Sequence, residues 1–269
     1  DSLETAAVPG TEGRISAGGL ALSVDGQALL HTTLGADGIP SADDTLELLR
    51  LNDALWPPTG TVVTNLLTGA NPVDVKFSRS ERYALVAVKD APAILLVTAD
   101  TLVITNQATG LPATAQPAQV AMHPMTNVAY VVLGGGTSAV QMVNLSTRTF
   151  SNSVPVDWVP AAGPQAGAFS PNGDRFYVLC TAASNVVAFD TTAPLIPVPE
   201  TNLNLQVVAA PAALVFLSGD RAYVGSTNAG RGLTVFTNYL GTPAVSTTVL
   251  ASLGGAGSPA YFTRLQPGE

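Results

Sequence analysis

Short apolar runs recur along the whole chain, separated by turns rich in Pro, Asn, Gly and Asp. Ala129–Val132 and Phe176–Leu179 are two such runs, and residues 171–174 (Pro-Asn-Gly-Asp) form one such turn. Runs this short, bounded by turn residues, are typical of buried β-strands, and Asn-Gly tolerates the positive φ of a tight hairpin. No stretch shows a 3.6-residue period long enough to predict a helix. The pattern therefore predicts an all-β protein.

The strand pattern repeats with a nearly constant period. Prolines that begin similar stretches stand at Pro72, Pro117, Pro164, Pro211 and Pro259, which are 45, 47, 47 and 48 residues apart. Within each period, an apolar strand is followed by a turn, a second strand with aromatic and Val residues, a third strand ending near Asp or Asn, and a Thr- and Val-rich fourth strand. Four strands in about 47 residues match one blade of a β-propeller.

One repeat is sharp enough to resemble a known family. Gly167–Val178 followed by Ser184–Thr192 is similar to the YVTN-type repeat, in which a Ser-Pro-Asp-Gly hairpin precedes an Asn-Val-x-x-x-Asp-Thr strand. Proteins with this repeat resemble the lactonase-like and surface-antigen β-propellers. The resemblance implies a propeller of four-stranded blades, seven in the parent fold, and the fold alone does not determine a function.

The two ends of the chain read as parts of one further blade. Leu3–Pro9 resembles a fourth strand, and Pro259–Leu265 resembles a first strand. We therefore expect residues 1–269 to form a single β-propeller domain of about five complete blades with partial terminal strands. It would be a segment of a longer propeller or be completed by another chain. The alternative is that the terminal strands lie elsewhere.

Composition narrows the class of protein. The chain has 46% hydrophobic and 11% charged residues and a net charge of −8, which excludes disorder and a basic nucleic-acid surface. Its apolar runs are too short for a transmembrane segment. A single Cys and only two Lys favour export, to the periplasm or surface of a bacterial-like cell.

Metal and cofactor sites have little support in the sequence. The longest inter-strand loop contains Asp37, Asp43 and Asp44, which are candidates for Ca²⁺ ligands, but it lacks the regular spacing of consecutive oxygen ligands. His31 and His123 are the only histidines and lie in different repeats, and His123-Pro is interpreted as a variant turn. No other cofactor is expected.

Catalytic residues are not predicted. The chain has no G-x-S-x-G motif, and Cys180 lies inside a predicted strand, as a small core residue does. Lactonase-like propellers use acidic residues and Arg at the central funnel. Residues of those types do occur, but they recur at equivalent turns, which indicates a structural role. They are Glu81, Arg82, Asp174, Arg175, Asp220 and Arg221.

Interaction candidates stand in two kinds of loop. Trp56 and Trp158 lie in Pro-rich connections, where a Trp either anchors a partner or fills the gap between blades. Gly134, Gly135 and Gly136 join two strands and lead to no helix, so they form a contact loop and not a phosphate cradle.

Two functions follow from these observations. The first is a non-catalytic propeller, a structural or protein-binding component of an exported assembly. Its partners would be other protein subunits or the remainder of its parent chain. The alternative, implied by the resemblance, is a lactonase-like hydrolase acting on a small molecule in the central funnel. A charged central pocket would favour the hydrolase.

Overall fold

The computed structural model describes residues 16–34, 39–52, 59–108, 111–159, 162–217, 220–226, 233–239 and 241–245. Every regular element in these ranges is a β-strand, and the strands form five antiparallel sheets in chain order. None of the described residues forms a helix of the length and apolar character that crossing a membrane requires.

The first two sheets are four-stranded and each follows the chain from first to last strand. Sheet one consists of β1 (Ser16–Leu22), β2 (Ala28–Thr33), β3 (Thr45–Asn52) and β4 (Thr59–Leu67). Sheet two consists of β5 (Pro72–Phe77), β6 (Tyr83–Val88), β7 (Ala93–Thr98) and β8 (Ile104–Ala108).

The third sheet begins in the same way and ends differently. It consists of β9 (Ala115–Met122), β10 (Val128–Gly135), β11 (Ala139–Asn144), β12 (Thr149–Phe150) and β13 (Val154–Pro155). Both β12 and β13 pair with β11, so the fourth strand is interrupted. At the interruption the Gln141 amide donates to the carbonyl oxygens of Ser151 and Met142, and Met142 O also accepts the Ser151 N–H at 3.1 Å.

The last two sheets are again four-stranded. Sheet four consists of β14 (Pro164–Phe169), β15 (Arg175–Cys180), β16 (Asn185–Asp190) and β17 (Val198–Gln206). Sheet five consists of β18 (Pro211–Leu217), β19 (Arg221–Ser226), β20 (Leu233–Thr237) and β21 (Ala244–Val245). The predicted four-strand repeat and the all-β class are confirmed.

The turns between first and second strands share one geometry. Gly26, Glu81 and Gly173 each donate their N–H to the Ser carbonyl three residues earlier, and each has a positive φ, of 72°, 54° and 80°. The predicted Asn-Gly hairpin turn is therefore confirmed at Gly173. Glu81 adopts the same conformation with a side chain, at a steric cost that glycine avoids.

The chain divides into two compact units, Asp1–Val120 with Leu145–Thr149 and Ala121–Asn144 with Phe150–Glu269. The first unit has an apolar core between sheets one and two, including Leu30, Leu48 and Val86. The second unit has two cores. One joins sheets three and four around Tyr130 and Phe176, and the other joins sheets four and five around Tyr177 and Phe216.

Candidate functional site

An ion pair lies on the first strand of the second sheet. Asp74 and Lys76 are two residues apart on β5, so the period of a strand brings them to the same face, and Lys76 Nζ is 2.9 Å from Asp74 Oδ1. The Asp74 side chain is buried, whereas that of Lys76 is 38% exposed. A fixed carboxylate therefore holds an ammonium group that still reaches solvent.

Backbone groups complete the surroundings of Asp74. The Val75 N–H donates to Asp74 Oδ1 at 2.9 Å, and the Val120 N–H on β9 donates to Asp74 Oδ2 at 2.8 Å. Both carboxylate oxygens of Asp74 therefore accept hydrogen bonds, which fixes the side chain that holds Lys76.

The strands β1 and β5 pack closely against each other beside the Asp74–Lys76 ion pair. A Cβ at Gly19 would lie 3.0 Å from Asp74 Cα and 2.6 Å from Thr32 Oγ1, so only glycine fits there. The Gly19 N–H also donates to Thr32 Oγ1 at 2.9 Å. The first strands of sheets one and two thus lie side by side with the ion pair at their border.

The sequence analysis did not single out Asp74 or Lys76. A signal was nevertheless present, because residues 72–77 (Pro-Val-Asp-Val-Lys-Phe) place two charges in a strand whose counterparts in sheets four and five are uncharged. Asp74 is a buried charged residue, and such residues are rare without a partner.

The structure brings together two of the predicted interaction elements, the glycine loop and Trp158. Gly135 and Gly136 are exposed at the connection of β10 and β11, whereas Gly134 is buried. The Val156 N–H donates to Ser138 O at 2.7 Å, which holds the Trp158 segment at the same end of the third sheet. Trp56 lies outside the described residues.

The Trp158 side chain packs inward. Its ring meets Phe189 of the fourth sheet edge-on, with centroids 5.3 Å apart. Among the described residues Nε1 has no hydrogen-bond partner although it is buried. Trp158 therefore fills the space between sheets three and four, and an interaction role for it stays a prediction.

The candidate Ca²⁺ ligands are arranged differently from one another. Asp44 is buried, and its Oδ2 accepts the N–H groups of Asn71 at 2.6 Å and Ser41 at 3.2 Å, whereas Asp43 is exposed and accepts the Ser41 hydroxyl. Asp37 lies outside the described residues. Within those residues, no group of three or more His, Cys, Asp or Glu side chains is arranged to hold a metal ion.

The two histidines have separate surroundings. His31 Nδ1 lies 3.9 Å from Oε2 of the buried Glu47 in the first sheet. His123 Nδ1 accepts the N–H groups of Met125 and Thr126, both at 3.1 Å, and Nε2 lies 3.1 Å from Gly173 O. His123 thus occupies the turn position that Ser23, Ser78 and Ser170 hold elsewhere, as the variant-turn interpretation expected.

The other residues considered for chemistry have structural surroundings. Glu81 and Asp220 occupy turns with φ of 54° and 62°. The Arg175 guanidinium donates to Glu200 Oε1 and to Tyr239 O, both at 2.9 Å. Cys180 is buried in the core of sheets three and four, and burial raises the pKa of its thiol to about 12.

No protein-family model matches the chain, and no curated protein matches it in sequence. Solved structures do match. The periplasmic gluconolactonase of Pseudomonas aeruginosa is 16% identical, with 86% of this chain and 71% of that chain covered and a TM-score of 0.69.

Two further structures match over most of the chain. A candidate 6-phosphogluconolactonase from Bacteroides fragilis is 14% identical, with 90% of this chain and 72% of that chain covered and a TM-score of 0.71. The Cps50 (Swd1) β-propeller domain of Myceliophteria thermophila is 13% identical, with coverage of 84% and 67% and a TM-score of 0.60. The chain therefore has the fold of a β-propeller, of the kind found in lactonase-like proteins.

Proposed function

We propose that this protein is a hydrolase that opens a small lactone at the first strands of its sheets. The observation that carries the proposal is the Asp74–Lys76 pair, a buried carboxylate that holds a partly exposed ammonium group on β5. In a propeller the sheets surround a central channel, which their first strands line. In this chain the first strands β1 and β5 pack side by side. The lactonase-like neighbours support this choice over a purely structural role.

In the proposed reaction, the main task of the protein is to stabilise the negative charge that develops on the carbonyl oxygen. The oxygen of a water molecule attacks the lactone carbonyl carbon, and the carbonyl electrons move onto its oxygen. The Lys76 ammonium donates to that oxyanion while Asp74 holds the ammonium in place. Collapse of the intermediate breaks the ring C–O bond, and a water proton passes to the leaving alkoxide, giving the hydroxy acid.

The test is a pH-stat assay of the full chain with glucono-δ-lactone, corrected for spontaneous hydrolysis. Lys76→Met should lower the enzymatic rate by about 10²-fold, the usual loss of one oxyanion donor. Lys89 is the chain's other lysine, so Lys89→Met is a matched control and should keep the rate.

Two results would contradict the proposal in different ways. Wild-type chain that hydrolyses no lactone above the spontaneous rate rules out this activity. Activity that survives Lys76→Met shows a hydrolase whose site lies elsewhere. Thermal melts of each variant separate loss of chemistry from loss of fold.

Protein binding is the second candidate function, and one face of the fifth sheet favours it. Val215, Tyr223 and Val235 lie in one row across β18, β19 and β20, and each is only half-buried. With the periplasmic neighbour, the single cysteine and the low charge, this face supports a role in an exported assembly.

A further inference from the structure

One loop of the fourth sheet presents apolar side chains to solvent. It follows β16 and leads into β17, and we call residues 193–199 (Ala-Pro-Leu-Ile-Pro-Val-Pro) the proline loop. The exposed fractions of Leu195, Ile196 and Val198 are 37%, 74% and 57%. In the equivalent loop of sheet three, residues 145–148 (Leu-Ser-Thr-Arg), the one apolar residue is buried. Exposed apolar side chains that stand together are a feature of interaction surfaces.

Hydrogen bonds anchor the chain immediately before the proline loop. Thr191 is buried, and its N–H donates to Asp174 O at 2.8 Å while its hydroxyl donates to Gly173 O at 2.6 Å. The N–H and the hydroxyl of Thr192 both donate to Asp190 Oδ1, at 2.9 and 2.8 Å. The chain therefore enters the loop in a fixed direction.

Further contacts hold the proline loop itself. The Ile196 N–H donates to Ala193 O at 2.8 Å, which closes a turn. Pro194 O accepts the hydroxyl of Tyr130 on the third sheet at 2.7 Å. Pro197 is buried, and each of the three prolines in the loop has a restricted φ. Because the loop is already ordered, it would lose little conformational entropy when a partner covers its exposed side chains.

Acidic side chains border the proline loop. Asp174 is exposed, and its main chain contacts the start of the loop. The hydrogen bonds from Thr192, together with the nearby Arg175, lower the pKa of Asp190, so this carboxylate is charged at neutral pH. Glu200 follows the loop and is paired with Arg175, whose Nε lies 2.9 Å from Glu200 Oε1. The apolar loop thus lies beside two negative charges, those of Asp174 and Asp190.

These charges distinguish between the occupants that an apolar surface could have. A second copy of the chain would bring the same carboxylates against each other, and an anionic lipid surface would repel them. We propose that the proline loop binds a short apolar segment of another protein, with Lys or Arg residues flanking that segment. The apolar side chains of the segment would contact Leu195, Ile196 and Val198, and its basic side chains would pair with Asp174 and Asp190.

The test measures the binding of labelled peptides to the full chain by fluorescence anisotropy. The lysine peptide has the core Leu-Ala-Leu-Ala-Leu with two Lys at each end, and the glutamate peptide has Glu in place of each Lys. At low ionic strength the lysine peptide should bind about tenfold more tightly, and added salt should reduce this difference. Equal binding of the two peptides would overturn the proposal. Binding at this loop requires neither Asp74 nor Lys76, so the result does not depend on hydrolase activity.

Two matched double variants locate the binding surface. Ile196→Thr with Val198→Thr keeps β-branched side chains and removes apolar contacts, so it should weaken binding of the lysine peptide about tenfold. The control is Ile104→Thr with Val103→Thr, which makes the same changes at the equivalent loop of sheet two, where these residues are 39% and 58% exposed. The control should bind the lysine peptide as wild type does. Thermal melts of both variants verify that each is folded.

A third variant tests the charge. Asp174→Asn keeps an acceptor for the Asn172 amide and removes one negative charge, so it should weaken binding of the lysine peptide about threefold. Unchanged binding in the Ile196 and Val198 double variant, or equal loss in its control, would overturn the proposal. So would a dimer in sedimentation velocity, or co-sedimentation with anionic phosphatidylglycerol vesicles, that the same double variant abolishes, since each would assign the loop to a different occupant.

Discussion

Individual residues determine how the tight turns of this protein close. Gly173 has a φ of 80°, and a Cβ at this position would lie 2.6 Å from His123 Nε2. Gly26 has a φ of 72° in the equivalent turn, and nothing lies within 4 Å of the same point. The two glycines therefore share a backbone requirement and differ in the space around them.

This difference predicts unequal costs for the same substitution. Gly26→Ala should lower the free energy of unfolding by about 1–2 kcal/mol, the cost of a left-handed conformation for an L-residue. Gly173→Ala should cost about 1–3 kcal/mol more, because its methyl group overlaps the His123 ring. Urea denaturation of both variants measures the difference, and equal costs would contradict the assigned contact.

His123 makes stability depend on pH. Burial lowers the pKa of its imidazole below 6.5, while the hydrogen bond to Gly173 O and the nearby Asp174 carboxylate oppose that shift. The unfolded chain therefore binds a proton that the folded chain does not. The stabilisation is complete above pH 6.5 and is lost as the pH falls from 6.5 towards the lowered folded-state pKa.

The variant His123→Ser tests whether His123 causes this pH dependence. Serine is the natural replacement, because Ser23, Ser78 and Ser170 hold the same turn position in other sheets. We expect the part of the unfolding free energy that declines below pH 6.5 to disappear in the variant. An unchanged pH profile, measured by urea denaturation between pH 5 and 8, would assign the dependence to other groups such as His31.

At the scale of strands and sheets, Arg175 on β15 connects its own strand with β17 and with the segment after β20. Arg175 starts β15, pairs with Glu200 on β17, and donates to the carbonyl groups of Tyr239 and Gly241 after β20. Arg221 starts β19 at the equivalent place in the next sheet and is exposed. The two arginines therefore stand at equivalent positions but differ in their surroundings, since Arg175 bridges to neighbouring elements and Arg221 is exposed.

Arg175→Met should lower the free energy of unfolding by about 1.5–3 kcal/mol, the range for hydrogen bonds to charged groups. Arg221→Met should change it by less than about 0.5 kcal/mol, as is usual for exposed positions. Thermal and urea unfolding of the pair give the comparison. Similar losses in both variants would mean that the Arg175 hydrogen bonds to the carbonyl groups of sheet five contribute little to the free energy of unfolding.

The strands were predictable because their repeat is in the sequence. The anchoring prolines and the Tyr-Val pairs place β14 to β16 and β18 to β20 correctly, and Asn172-Gly173 places the turn between β14 and β15. The interruption between β12 and β13 was not predictable, since it involves a Gln141 side chain that donates to the carbonyl of its neighbour Met142 and to that of Ser151 between the two short strands. Side-chain reach of this kind leaves no periodic signal.

The candidate site was harder to predict than the fold for a related reason. Repetition reveals equivalent residues, so Glu81 and Asp220 stood out together as turn residues. Asp74 has no equivalent in the other first strands, and its partner Val120 is far along the chain and contributes only a backbone N–H. Residues that depart from a repeat become visible only when their contacts are known.

At the scale of the whole molecule, low charge and strong apolar burial go together. The chain carries 11% charged residues, and its described cores lie between neighbouring sheets within each unit. Stacked sheets bury both faces of their middle strands, and so leave few positions where charge is tolerated. This explains how a chain with 46% hydrophobic residues can have described strands of only two to nine residues.

The buried Cys180 allows the free energy of local opening between sheets three and four to be measured. It is the chain's only thiol, it is fully buried between sheets three and four, and its raised pKa keeps it protonated. A thiol reagent added to the native protein should react only when those sheets separate. The labelling rate, compared with that of the unfolded chain, then reports the free energy of opening at one place without any mutation. Rapid native-state labelling would contradict this. The single thiol thus reports how often two neighbouring blades separate.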